Sequence, residues 1–175
     1  MTILTKSEFA TIANSKVGYK ILNTSRKFSK DTAITSVFLS HSHHDKDVVL
    51  QAKAFFENLG VSVYVDWADE TMPENTSGVT AQKIKHQISG NDKFILLATN
   101  NAIASKWCNW EVGIGDIYKL WKNKIAILPL ADNNKTWNGS EYLQIYPRVE
   151  QYVNDYYVFY PNGSKESVSV WLKRT

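Results

Sequence analysis

Apolar and polar positions along the chain fall into short blocks whose period alternates between that of a buried strand and that of an amphipathic helix. The run Ser36-Val37-Phe38-Leu39-Ser40 reads as a short buried strand. Val48, Ala52, Phe55, Phe56 and Leu59 then share a helical face, with Asp45 placed to cap that helix and Gly60 where the chain leaves it. Val61-Ser62-Val63-Tyr64-Val65-Asp66 is a second, β-branched strand, and the polar stretch Trp67 to Asn75 reads as a loop. Ala81, Ile84 and Ile88 predict a helix ending at Ser89. Phe94-Ile95-Leu96-Leu97-Ala98 is apolar throughout, as central parallel strands are. Trp107, Trp110, Ile114, Ile117 and Trp121 recur at spacings of 3, 4, 3 and 4, which predicts a helix with this stripe packed mostly in the core. Lys124 to Leu130 reads as a fourth strand and Tyr156 to Tyr160 as a fifth, after which Ser164 can cap a short helix holding Val168, Trp171 and Leu172.

Strand and helix alternate from residue 36 onward, which implies right-handed crossovers and a parallel five-stranded sheet with helices on both faces. Residues 1–35 are polar and read as an N-terminal extension with one helix, carrying Phe9, Ile12 and Ala13, ahead of a domain at 36–175. In such sheets ligands bind beyond the carboxyl ends of the strands. The places to search are therefore just after Ser40, just after Asp66 and just after Ala98.

Composition narrows the classes. A chain of 175 residues with 43% hydrophobic and 21% charged residues fits one ordinary globular domain. The net charge of +3 comes from scattered basic residues with no run of five, so a nucleic-acid partner is not expected. Cys108 is the single cysteine, which excludes an intramolecular disulfide framework and a cysteine-based zinc site. The polar start Met1 to Lys6 does not resemble a signal peptide, and the longest apolar stretch, Ile125 to Ala131, is too short to span a bilayer. The expectation is a cytoplasmic protein without a membrane partner.

The candidate chemistry lies at those three strand ends. His41, His43 and His44 invite a metal, but no Cys or carboxylate array recurs at ligand spacing, so no metal is expected; the segment is either a polar turn or a small-molecule contact. After the second strand, Asp66 ends the strand directly, whereas Asp69, Glu70 and Glu74 read as a solvated loop. After the third, Glu111 falls one helical turn beyond Trp107 and beside Trp110, at the boundary of an aromatic face. It is either a partly buried ion-pair partner or a functional acid. Gly113-Ile114-Gly115 is only a fragment of a dinucleotide fingerprint and sits within a helix, and Cys108 has no nucleophile signature around it.

These residues together resemble the TIR (Toll/interleukin-1 receptor) family, specifically bacterial TIR proteins. Val37-Phe38-Leu39-Ser40-His41-Ser42 with Asp45 is similar to the family's first strand and turn, and Leu59 to Asp66 to its first helix end and second strand. Ser105-Lys106-Trp107-Cys108-Asn109-Trp110-Glu111 is similar to its Ser-x-Trp-Cys-x-x-Glu motif. The motifs cover roughly residues 36 to 131; the tail, with Gly139 to Leu143 and Tyr157 to Trp171, is similar to that of stand-alone TIR proteins of Thoeris-type anti-phage systems.

The resemblance implies a flavodoxin-like three-layer fold and, in enzymatic members, cleavage of the nicotinamide–ribose bond of NAD. It places the catalytic glutamate on Glu111, the site tryptophan on Trp107 and pocket-lining residues on Phe38, Ser40, His41 and Ser42; Asp66 joins them as a substrate-binding candidate from its own place at the strand end. The loop Trp67 to Thr76 matches the family's BB loop in position only. NAD is then the substrate and no further cofactor is expected. The product is ADP-ribose or a cyclic isomer, a diffusible signal for a separate effector protein, with self-association through TIR surfaces. A non-catalytic TIR scaffold is the second reading, and a nucleoside deoxyribosyltransferase with a related sheet and glutamate the third.

Overall fold

Strand periodicity divides each apolar run between the two faces of one sheet. In β1 (Ser36–Ser40), Val37 and Leu39 enter one core and Phe38 the other. The same alternation separates Ile95 and Leu97 from Phe94, Leu96 and Ala98 in β3 (Lys93–Ala98), and Ala126 and Leu128 from Ile125 and Ile127 in β4 (Ile125–Pro129). The computed structural model describes residues 3–14, 34–72, 77–139, 141–153 and 155–174. Most of the expected N-terminal extension (15–33) and part of the loop Trp67 to Thr76 (73–76) lie outside the described residues.

With β2 at Ser62–Tyr64, β5 at Arg148–Tyr152, β6 at Asp155–Phe159 and β7 at Lys165–Ser167, the sheet runs β2-β1-β3-β4-β5-β6-β7. The first five strands in that order are parallel, and β6 and β7 are antiparallel. Helices α1 (Lys6–Asn14), α2 (Lys46–Asn58) and α6 (Val168–Lys173) cover one face. The other face is covered by α3 (Gly78–Gly90), α4 (Asn100–Ala104) and α5 (Lys106–Lys119). This is the three-layer α/β arrangement the sequence implied.

The expected count of five strands is corrected to seven. Arg148-Val149-Glu150-Gln151-Tyr152 has an alternating, charged pattern unlike a central parallel strand, yet it supplies the fifth parallel strand through Ile127↔Arg148. The run around Tyr156 to Tyr160 is instead β6, folded back on β5 through a turn in which Val153 has φ +60°. Lys165-Glu166-Ser167 adds a short polar edge strand, as edges tolerate. Ser167, not Ser164, therefore caps α6 by accepting from the Val170 amide.

A second correction concerns α5. Its expected core stripe is largely in solvent: Ile117 is 74% and Trp121, in the 3₁₀ turn that follows, 93% exposed. The buried face holds Cys108, Glu111, Val112, Ile114, Gly115 and Lys119. Gly115 explains the shift, because a Cβ there would lie 3.0 Å from the Phe94 ring. The helix backbone presses onto β3 at this glycine, which turns the larger side chains at positions 117 and 121 outward. Gly115 is thus a packing residue, not part of a dinucleotide loop.

The N-terminal segment is built into the fold. Thr5 bridges Ala131 in parallel, extending the sheet just beyond β4, and Phe9 is fully buried with its ring against Phe55. Lys6 binds both Asp45 and Asp132 at 3.0 Å. Asp45 was expected to cap α2, but its side chain makes no cap bond. It instead accepts from Lys6, Asn101 (2.9 Å) and Thr99 (2.6 Å), tying the turn after β1 to the segment after β3.

Candidate active site

Three parallel strand ends and one helix converge on the site. Ser40, the last residue of β1, is buried, and its Oγ donates to Glu111 Oε2 at 2.6 Å. Glu111 is presented by α5, which Ser105 starts by accepting from the Cys108 amide. Burial is almost complete, at 3% exposure. It pushes the carboxyl from its ordinary value of 4.5 up to about 8; the Ser40 bond opposes this, and the Asp66 charge adds to it. Glu111 is therefore no surface ion-pair partner: no cation sits within ion-pair distance of it among the described residues.

Beside it opens a cavity of about 420 Å³, within the range of small-molecule sites. His41, His43, Asp66, Trp67 and Asp69 line one side, Ser105, Trp107 and Cys108 another, and Met72, Thr80 and Ile84 complete it. Glu111 and Ser40 do not line this open surface; Glu111 lies one helical turn along α5 from Cys108, with Ser40 at the end of β1 bonded to it. Trp107 is half-buried with its ring 5.0 Å from that of Trp110.

The histidines are ordered around Asp66. His41 Nδ1–H donates to the Leu39 carbonyl at 2.8 Å, which fixes the ring and leaves Nε2 3.3 Å from Asp66 Oδ1. That nitrogen makes no hydrogen bond among the described residues. Burial pushes the His41 imidazole pKa down, against the raising effects of the Leu39 bond and the Asp66 charge. His43 Nε2 lies 3.5 Å from Asp66 Oδ2, and the Trp67 amide donates to Asp66 Oδ1 at 2.8 Å. No group of three or more His, Cys, Asp or Glu among the described residues could hold a metal ion.

Of the residues singled out in the sequence, His41, Asp66 and Trp107 line the cavity, and Ser40 and Glu111 form the buried pair behind it. Phe38 lies in the core, stacked against Tyr64 and Phe94 with centroids 5.5 and 5.6 Å away. Ser42 caps the 3₁₀ turn His43–Asp45 by accepting from the His44 amide. Cys108, read in the sequence as carrying no nucleophile signature, lines the cavity; its Sγ–H donates to the His41 carbonyl at 3.2 Å, and burial pushes its thiol up to about 12. Such a thiol is inert as a nucleophile. Sequence reasoning missed the bonding of Asp69, which accepts from the Tyr64 hydroxyl and from Thr71 instead of lying free in a loop. The Asp-x-Thr spacing of an Asx turn was the available signal.

A mostly parallel sheet flanked by helices, with a buried carboxylate near a cavity at the carboxyl ends of its strands, defines an α/β domain of the kind the motifs implied. The profile of the family described as TIR domain matches residues 37–153, and the chain belongs to that family. It is similar to "Probable 3' cyclic ADP-D-ribose synthase ThsB'" of Bacillus cereus (strain MSX-D12), 32% identical over 141 residues, covering 78% of this chain and 72% of the relative. It is also similar to "Putative cyclic ADP-D-ribose synthase TIR2" of Cytobacillus dafuensis, 28% identical over 82 residues, 45% of this chain and 22% of that protein. Among solved structures, a prokaryotic SEFIR domain aligns with a TM-score of 0.44 at 16% identity, covering 62% of this chain and 76% of that one.

Proposed function

We propose that this protein cleaves the nicotinamide–ribose bond of NAD and releases nicotinamide with ADP-ribose or a cyclic ADP-ribose isomer, acting in the cytoplasm as a signal producer for a separate effector in anti-phage defence. The observation that carries this reading is Glu111, a buried carboxyl with no cation partner among the described residues, set behind a cavity walled by Trp107. The names of the two relatives, both cyclic ADP-ribose synthases, support it.

The residues suit the step. Breaking the C–N bond builds positive charge on the ribose, and nicotinamide leaves as a neutral molecule, so no strong acid is needed. A carboxylate preorganised against that charge is the main requirement, and one such group is worth about a hundredfold or more in rate. Burial favours the protonated form of Glu111. The cationic nicotinamide ring favours the ionised form, and the ribose hydroxyls replace the Ser40 hydroxyl as its donors. Trp107 offers a flat wall for a ring, and His41 and Asp66 supply acceptors for sugar hydroxyls. Incubation of concentrated protein with NAD, followed by mass spectrometry of the nucleotides, tests this reading. Glu111→Gln should cut nicotinamide release at least about a hundredfold with the fold intact; a variant as active as the wild type would remove Glu111 from the chemistry.

Assembly with other TIR domains is the second reading, and it is compatible with the first. The exposed apolar side chains of Trp110, Ile117 and Trp121, on and just beyond α5, favour it, since large apolar groups gathered on a surface mark interaction sites.

A further inference from the structure

Asp66 is a carboxylate on the cavity wall, and the departure of neutral nicotinamide needs no base there. It lies between two imidazoles, with Oδ1 3.3 Å from His41 Nε2 and Oδ2 3.5 Å from His43 Nε2. The three differ in their access to water. The His41 side chain is buried, Asp66 is 15% exposed on the cavity wall, and His43 is 60% exposed. His43 also lines a second, more open depression, with Ser42, His44, Asn101, Ala104 and Ser105. Asp66 therefore joins the cavity interior to a solvent-facing imidazole.

His41 adds an independent observation. Its Nδ1 must carry the proton, because the Leu39 carbonyl can only accept. In the neutral ring Nε2 is then a lone pair facing a carboxylate oxygen, and it has no hydrogen-bond partner among the described residues. A buried orphan acceptor of this kind carries a cost that a proton arriving at Asp66 removes. The triplet is thus arranged to receive a proton.

We infer that Asp66 is the general base of ring closure, taking the proton from a ribose hydroxyl of the bound nucleotide as that oxygen attacks the anomeric carbon, with His41 as its positioning partner and His43 as the exit to solvent. This rests on the NAD-cleavage reading above and deepens it. In the step, the bond from the anomeric carbon to the nicotinamide nitrogen breaks and its electron pair leaves with nicotinamide. The hydroxyl oxygen forms a bond to the same carbon, and its proton passes to Asp66, then through His43 to water. NAD becomes nicotinamide, a cyclic ADP-ribose and one proton. A ring nitrogen of adenine has no proton to lose when it attacks, so a base placed here favours closure through oxygen. Bulk water can shed its proton to solvent directly, so linear ADP-ribose depends less on Asp66.

The test measures cyclic and linear product per nicotinamide released, which does not depend on how much total activity a variant keeps. Asp66→Asn retains the shape and the acceptor for the Trp67 amide. It should lower the cyclic-to-linear ratio at least about tenfold, since a positioned general base contributes roughly a hundredfold or more. His43→Gln, at an exposed side chain that does not hold the fold, should lower the ratio in the same direction by a smaller factor, and it carries the test if the Asp66 variant fails to fold. An unchanged ratio in the folded variants overturns the inference, as does a wild type that makes only linear ADP-ribose. If folded Asp66→Asn releases no measurable nicotinamide because its hold on the sugar is lost, the ratio in His43→Gln decides, and an unchanged ratio there overturns the inference. A wild type that releases no nicotinamide overturns the NAD reading itself.

Discussion

Ser40 and Glu111, 71 residues apart in sequence, are joined by a 2.6 Å hydrogen bond that ties the end of β1 to the buried face of α5. The bond has a direction of effect as well as a structural one. The Ser40 hydroxyl favours the charged carboxylate, whereas burial and the Asp66 charge favour the neutral acid. Burial wins, so this acid is held near the middle of the working pH range, where substrate charge can decide its state.

Ser40→Ala removes the one interaction that favours the ionised form. The Glu111 pKa should then rise above about 8, and the pH profile of NAD cleavage should move upward by about one unit, the size expected for a hydrogen bond to a charged group. Activity at pH 7 falls while activity at high pH recovers. A profile that falls in height without moving would mean that Ser40 only shapes the pocket.

Glu111 should also leave a mark on stability. Its folded pKa, about 8, lies above the ordinary 4.5, so between these values the folded state binds more protons than the unfolded chain. The stabilisation is complete below about pH 4.5 and is lost as pH rises through about 8. Wild-type protein should therefore lose a few kcal/mol of stability across this window relative to Glu111→Gln, which does not titrate. Urea unfolding of both proteins at pH 5, 7 and 9 measures the difference. Parallel curves would show that Glu111 is not desolvated in solution.

Much of this site is legible in the sequence, and the reason is local. Ser40 ends β1, Asp66 lies two residues beyond β2 and Glu111 is on the second helix after β3, and the parallel topology brings these carboxyl ends together. What stayed hidden depends on helix rotation and on weak strands. The spacing from Trp107 to Trp121 is helical, but periodicity does not say which side of a helix with two apolar flanks meets the sheet; the contact of Gly115 with Phe94 decides it. The polar alternation in Arg148 to Tyr152 and the brevity of Lys165–Ser167 likewise concealed two strands that only pairing stabilises. The partners of Asp45 could not be read either, because its bonds to Lys6 and Thr99 span 39 and 54 residues.

Lys6 provides a test of how firmly the N-terminal helix belongs to the fold. Asp45 is nearly buried, and Lys6 is its only ion-pair partner among the described residues. Lys6→Met should destabilise the protein by about 1–3 kcal/mol, less than a fully buried pair because Lys6 retains some solvent contact. Asp45 also orders the turn that carries His41 and His43, so KM for NAD should rise in the same variant. Unchanged stability would show that α1 docks through Phe9 alone.

The outward turn of α5 yields the last prediction, which separates folding from assembly. Trp171 is fully buried and donates from Nε1 to the Asn123 carbonyl at 2.8 Å, whereas Trp121 is almost entirely exposed. Trp171→Ala should cost roughly 3–5 kcal/mol, as expected for emptying an aromatic site in a core. Trp121→Gln combined with Ile117→Lys should change monomer stability by no more than about 0.5 kcal/mol, because neither side chain packs in the core. If the exposed row is an assembly surface, the double variant should remain monomeric in sedimentation at concentrations where the wild type associates. It should also lose NAD cleavage wherever that activity rises with protein concentration. Identical sedimentation of the two proteins would place self-association on another face of the domain.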